Sequence, residues 1–89
     1  MKKFNAKVIV KLKPSIKDVK GQTIKTTIEC VEPVTDLSCQ AGSVYWFTFE
    51  AKNQAEALKL IEKIAKDILS NEVIEMYEIR YIKEVDEEN

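Results

Sequence analysis

An α+β fold, a two-layer sandwich with two helices on one face of a four-stranded, mainly antiparallel sheet, is predicted by three features of the 89-residue sequence. Residues 4–12 alternate apolar and polar with a period of two, the pattern of a half-buried strand. Leu58, Ile61, Ile64, Ala65 and Ile68 recur at helical spacing. A short alternating run at 37–41 and β-prone runs at 44–51 and 73–82 lie around that helix, and a second helical pattern follows the first strand, so the order reads βαββαβ.

In the first strand Phe4, Ala6, Val8, Val10 and Leu12 share one face, with Asn5, Lys7, Ile9 and Lys11 opposite. Pro14 ends it by removing a ladder donor. From Asp18, placed to cap an N-terminus, Ile24, Ile28 and Val31 take up helical spacing until Pro33. Thr23, Thr26 and Thr27 are mediocre helix formers, so this helix depends on docking against something else. Leu37, Cys39 and Ala41 alternate as a short strand, Gly42-Ser43 reads as a hairpin turn, and residues 44–51 form the next strand. There Tyr45, Phe47 and Phe49 face one way and Val44, Trp46 and Thr48 the other. Asn53 to Glu56 is a capping-box variant that opens the second helix, and Ser70-Asn71 closes it. The last strand places Tyr77, Ile79 and Tyr81 on one face, Met76 and Ile82 on the other. A single domain over 1–83 is expected, followed by an acidic, frayed tail over 84–89. Helices that reach one side of the sheet as crossovers give the ferredoxin-like arrangement and leave the other face of the sheet open.

That open face carries Ile9, Val44, Trp46, Met76 and Ile82, where a solvated face would carry Thr, Lys and Glu. A contiguous apolar patch containing Trp marks an association surface, and these five residues are the candidate oligomer or partner interface.

Composition narrows the function. Fourteen basic residues against 15 acidic give a net charge of −1, and Arg80 is the sole Arg, which argues against a nucleic-acid partner. No apolar run approaches the ~20 residues of a membrane span, and the alternating residues behind Met1-Lys2-Lys3 do not form a signal peptide, so a cytoplasmic address is expected. Cys30 and Cys39 read as free thiols, and without histidine their spacing fits no zinc motif. No catalytic residues are expected: the chain has no imidazole base, and Gly21 and Gly42 are isolated rather than part of a phosphate loop. Arg80 reads as a surface ion-pair partner.

Three segments together resemble a known family. They are the run Val8 to Pro14 with Ile16, Asp18 and Gly21 to Ile24, the stretch Phe47 to Ala51 leading into Asn53 to Ala57, and above all Ile68 to Ile79. The last is similar to the Leu-Leu-x-Asn-Pro-Val-Ile-Glu-x-Tyr-x-Ile ending of the PurS family, the small subunits of phosphoribosylformylglycinamidine synthase. Glu72 stands where the family has Pro, Val19 where a Pro commonly follows the Asp, and Gln40 and Ser43 where basic residues often flank the hairpin Gly. The resemblance implies a non-catalytic subunit that forms a homo-oligomer, dimer or tetramer. It would bridge a large synthetase subunit and a glutaminase subunit and assist ammonia transfer. The complex would convert formylglycinamide ribonucleotide, ATP and glutamine to formylglycinamidine ribonucleotide, ADP, phosphate and glutamate in purine biosynthesis. ATP and Mg would be used by the large subunit, with no cofactor in this one. The competing reading is a small-molecule module of the same fold that senses amino acids at a dimer seam, although Lys13 to Ile16 lacks the Gly-rich loop such sites use.

Overall fold

The computed structural model describes residues 1–85. Its elements are β1 (Lys2–Leu12), α1 (Val19–Val31), β2 (Gly42–Ala51), α2 (Gln54–Ile64), which runs on into a π-helical turn (Ala65–Leu69), and β3 (Glu75–Glu84). The fold is α+β, but the sheet has three strands, in the order β2-β1-β3 with every neighbour antiparallel.

The expected fourth strand at 37–41 is not formed. Gly42-Ser43, read from sequence as the turn of a hairpin, lies inside β2, where Gly42 pairs with Lys11 and Ser43 with Val10. Glycine is needed there for close approach: a Cβ on Gly42 would stand 2.8 Å from the Val10 carbonyl oxygen. β1 and β2 are therefore direct antiparallel partners, joined by the excursion that carries α1. The excursion turns back at Asp36, whose φ of 55° lies in the left-handed region that Asp tolerates.

The alternation of β1 holds throughout. Phe4, Ala6, Val8 and Val10 are buried beneath α2. Ala6, Val8 and Val10 pack with Ile61 and Ala65, while Phe4 packs with Ala51 and Ala57, and Phe49 and Ile82 touch both groups. Asn53 caps α2, its Oδ1 accepting from the Glu56 amide at 2.9 Å. The buried stripe of α2 differs from the expected one. It runs Ala57, Ile61, Ala65, leaving Leu58 41% exposed and Ile68 73% exposed. The π-helical turn accounts for Ile68: Ser70 donates its amide to the Ala65 carbonyl at 3.1 Å, and the wider turn carries Ile68 outward and brings Leu69 onto the core.

Among the described residues only α2 covers the sheet. α1 makes at most glancing contact with the strands or with α2, and its one buried residue is Gly21. The radius of gyration is 17.1 Å, against about 12 Å for a compact domain of this length. α1 thus stands off the end of the sheet on an arm, and the expected pair of helices on one face is not made within the chain. Glu84, placed in the tail by the sequence, ends β3, and Val85 donates to the Lys3 carbonyl at 2.8 Å; the rest of the tail lies outside the described residues.

Candidate interaction surface

Directly opposed residues in antiparallel strands share a face, so the register states what lies on the side of the sheet away from α2. On β1 these are Lys3, Asn5, Lys7, Ile9 and Lys11. Val44 of β2 pairs with Ile9, Trp46 with Lys7, and Thr48 with Asn5. From β3, Met76 pairs with Lys11, Glu78 with Ile9, and Tyr81 with Lys7.

Four of the five expected residues, Ile9, Val44, Trp46 and Met76, come together on this face. Ile82 does not. It pairs with Ala6 and packs into the core, and Tyr81, expected under the helices, takes its place outside. The cause is a β-bulge. Val8 pairs with Ile79 but Lys7 pairs with Tyr81, so Arg80 is an extra residue on β3 and the alternation inverts beyond it.

The bulge assembles a row that sequence periodicity missed. Trp46 and Tyr81 flank Lys7 across the three strands, and the Lys7 Nζ lies 5.9 Å from the centroid of the Tyr81 ring. Trp46 is 69% exposed. A second row, Val44, Ile9 and Glu78, lies beside it, and a hollow of about 270 Å³ opens between Ile9, Lys11, Met76, Tyr77 and Glu78. Polar neighbours are satisfied locally: the Thr48 hydroxyl donates to Asn5 Oδ1 at 2.9 Å, and the Arg80 guanidinium pairs with Glu78 at 2.8 Å as the sequence suggested. Aromatic and aliphatic groups interleaved with Lys, Glu and Thr, with Trp46 largely exposed among them, make a composition suited to docking. It offers no nucleophile paired with a base.

At the root of the arm, Asp18 holds two strands of chain together. One carboxylate oxygen accepts from the Gly21 amide and the other from the Ala41 amide, each at 2.8 Å. The Gly21 bond, then the Ala41 bond, then Lys20 nearby hold its carboxyl below the ordinary aspartate value. Gly21 is obligatory beside it, since a Cβ there would stand 2.6 Å from Asp18 Oδ2 and 2.7 Å from the Cys39 carbonyl oxygen. Cys30 and Cys39 are free, and among the described residues no group of three Cys, Asp or Glu is disposed to hold a metal ion. Among the described residues no helix is long and apolar enough to cross a membrane.

A family profile described as PurS, phosphoribosylformylglycinamidine (FGAM) synthase, matches residues 5–83. The phosphoribosylformylglycinamidine synthase subunit PurS of Thermotoga maritima is 25% identical over 77 residues, covering 86% of this chain and 94% of that one. Among solved structures, Thermus thermophilus PurS superposes with a TM-score of 0.83 at 26% identity, covering 94% of this chain and 99% of the other. A chain in the structure of PurLQS from Thermotoga maritima superposes with a TM-score of 0.77 at 28% identity, covering 96% and 100%.

Proposed function

This chain belongs to the PurS family of FGAM synthase, and we propose that it serves as the non-catalytic small subunit of that complex in purine biosynthesis. In this reading it bridges a large synthetase subunit and a glutaminase subunit and assists the passage of ammonia between them. The complex then converts formylglycinamide ribonucleotide, ATP and glutamine to formylglycinamidine ribonucleotide, ADP, phosphate and glutamate. ATP and Mg belong to the large subunit, this chain carries no cofactor, and the address is cytoplasmic. The observation that carries the reading is the family match over residues 5–83. The likeness to a chain of PurLQS supports membership of a multi-subunit assembly. The open sheet face supplies the physical means, with Trp46, Val44, Ile9 and Met76 as self-association residues of a dimer or tetramer, joined by Tyr81.

The test is glutamine-dependent turnover of the large and glutaminase subunits, reconstituted with and without this chain. Addition of the chain restores glutamine-driven turnover and leaves ammonia-driven turnover little changed. Glutamine-driven turnover that is the same without the chain overturns the proposal.

A further inference from the structure

A hollow of about 390 Å³ opens at the end of the sheet, where the α1 excursion leaves β1 and rejoins β2. Three stretches far apart in sequence meet around it. Val10 to Leu12 come from β1, Lys17 to Lys20 from the outward part of the excursion, and Ala41 to Ser43 from its return. The register sets Lys11 opposite Gly42 and Val10 opposite Ser43, and the Asp18 bond to the Ala41 amide ties the remaining stretch across them. Strand ladder and carboxylate clamp together fix the walls.

The charge of those walls is unlike that of the rest of the molecule. Lys11, Lys17 and Lys20 line the hollow, against the carboxylates of Asp18 and Glu75. Both carboxylates are already engaged by the backbone. Asp18 accepts from the Gly21 and Ala41 amides, and Glu75 Oε1 accepts from the Asn71 amide at 2.8 Å. Among the described residues none of the three lysines is in an ion pair. The two neighbouring hollows lack this cationic surplus: one sets Lys66 against Glu72 and Glu75, the other Lys11 against Glu78. A chain of net charge −1 thus gathers positive charge around one concavity and leaves it to be neutralised from outside.

We propose that this hollow binds a small phosphomonoester, its phosphate held by Lys11, Lys17 and Lys20 together with the Ser43 hydroxyl. A lysine ammonium is a compact charge with three rotatable donors, suited to a phosphate approached from several sides. A phosphomonoester is close to doubly charged at neutral pH, so it answers three converging cations better than a carboxylate does. The volume selects a phosphate that carries an organic body over the bare ion, because about 390 Å³ falls in the range of small-molecule sites. Leu12 and Val19 supply apolar wall for that body. The hollow is open and its lysines reach solvent, so binding weakens as salt rises. No partner subunit enters the site, and it goes beyond the assembly role.

The test titrates the full ¹⁵N-labelled chain with ribose 5-phosphate, inorganic phosphate and ribose at constant low ionic strength, following the amide shifts. Ribose 5-phosphate should give saturable shifts at the amides of residues 11–12, 17–20 and 41–43, inorganic phosphate weaker ones, and ribose none. Lys11→Gln and Lys20→Gln should each weaken ribose 5-phosphate binding about threefold or more. Lys66→Gln, in a hollow whose carboxylates outnumber its lysine, should leave it unchanged. An unchanged unfolding midpoint in each variant separates lost binding from lost fold. Shifts that do not saturate, that appear equally around every exposed lysine, or that survive Lys11→Gln and Lys20→Gln overturn the site. Inorganic phosphate bound as tightly as ribose 5-phosphate overturns its assignment to a phosphomonoester. Turnover enters none of these readings, so they stand or fall separately from the assembly role.

Discussion

Asp18 and Gly21 show how much rests on two small residues. The folded Asp18 carboxyl is harder to protonate than the unfolded one, so its contribution is complete above about pH 4 and fades as pH falls through the lower folded value. The Gly21 and Ala41 amide resonances should therefore titrate together below the ordinary aspartate range, and Asp18→Asn should remove that titration. Gly21→Ala should cost about 1–3 kcal/mol in denaturant unfolding, because the atoms in its way include a backbone carbonyl that cannot rotate aside. Asp18 was legible from sequence as a cap; its second bond, to Ala41, was not, since nothing in a local pattern announces a partner 23 residues away. Tyr81 and Ile82 make the same point about faces. The alternation through Ile79 is correct, and one extra residue at Arg80 exchanges the two positions beyond it. A bulge without glycine leaves no mark on the sequence, so the aromatic that completes the row beside Lys7 was hidden.

Among the elements, β1 and α2 are the parts a sequence reader can trust, because their burial is set within the chain. Even so, α2 carries a test of register. Ile61 is fully buried and Ile61→Ala should cost about 2–5 kcal/mol, whereas Ile68→Ala should change stability by no more than ~0.5 kcal/mol. The straight helix expected from spacing would make the two losses comparable, so unfolding midpoints of the pair distinguish the π-helical turn from its absence. The segment 37–41 misled for a different reason. Alternation of Leu37, Cys39 and Ala41 describes an extended chain but not whether a neighbour is there to bond it, and Gly42 serves a close approach to Val10 rather than a turn. α1 was recognised as a helix in need of docking; periodicity does not reveal that the chain's own sheet leaves it almost without contacts.

At the scale of the whole molecule, a flat body measuring 51 × 35 × 15 Å exposes apolar groups on both sides of one sheet. Trp46→Glu should lower the oligomer mass at micromolar concentration while the sheet and α2 keep their unfolding transition, and an unchanged mass would remove the open face from the assembly. The direct pairing of β1 with β2 across the α1 excursion also sets the order in which the molecule forms. Closing that excursion costs entropy that grows only slowly with its length, and it does not require α1 to be helical first. Refolding should therefore show a fast phase, independent of concentration, in which the sheet and α2 form. A slow phase follows in which folded chains associate, and tenfold dilution should slow that phase alone about tenfold.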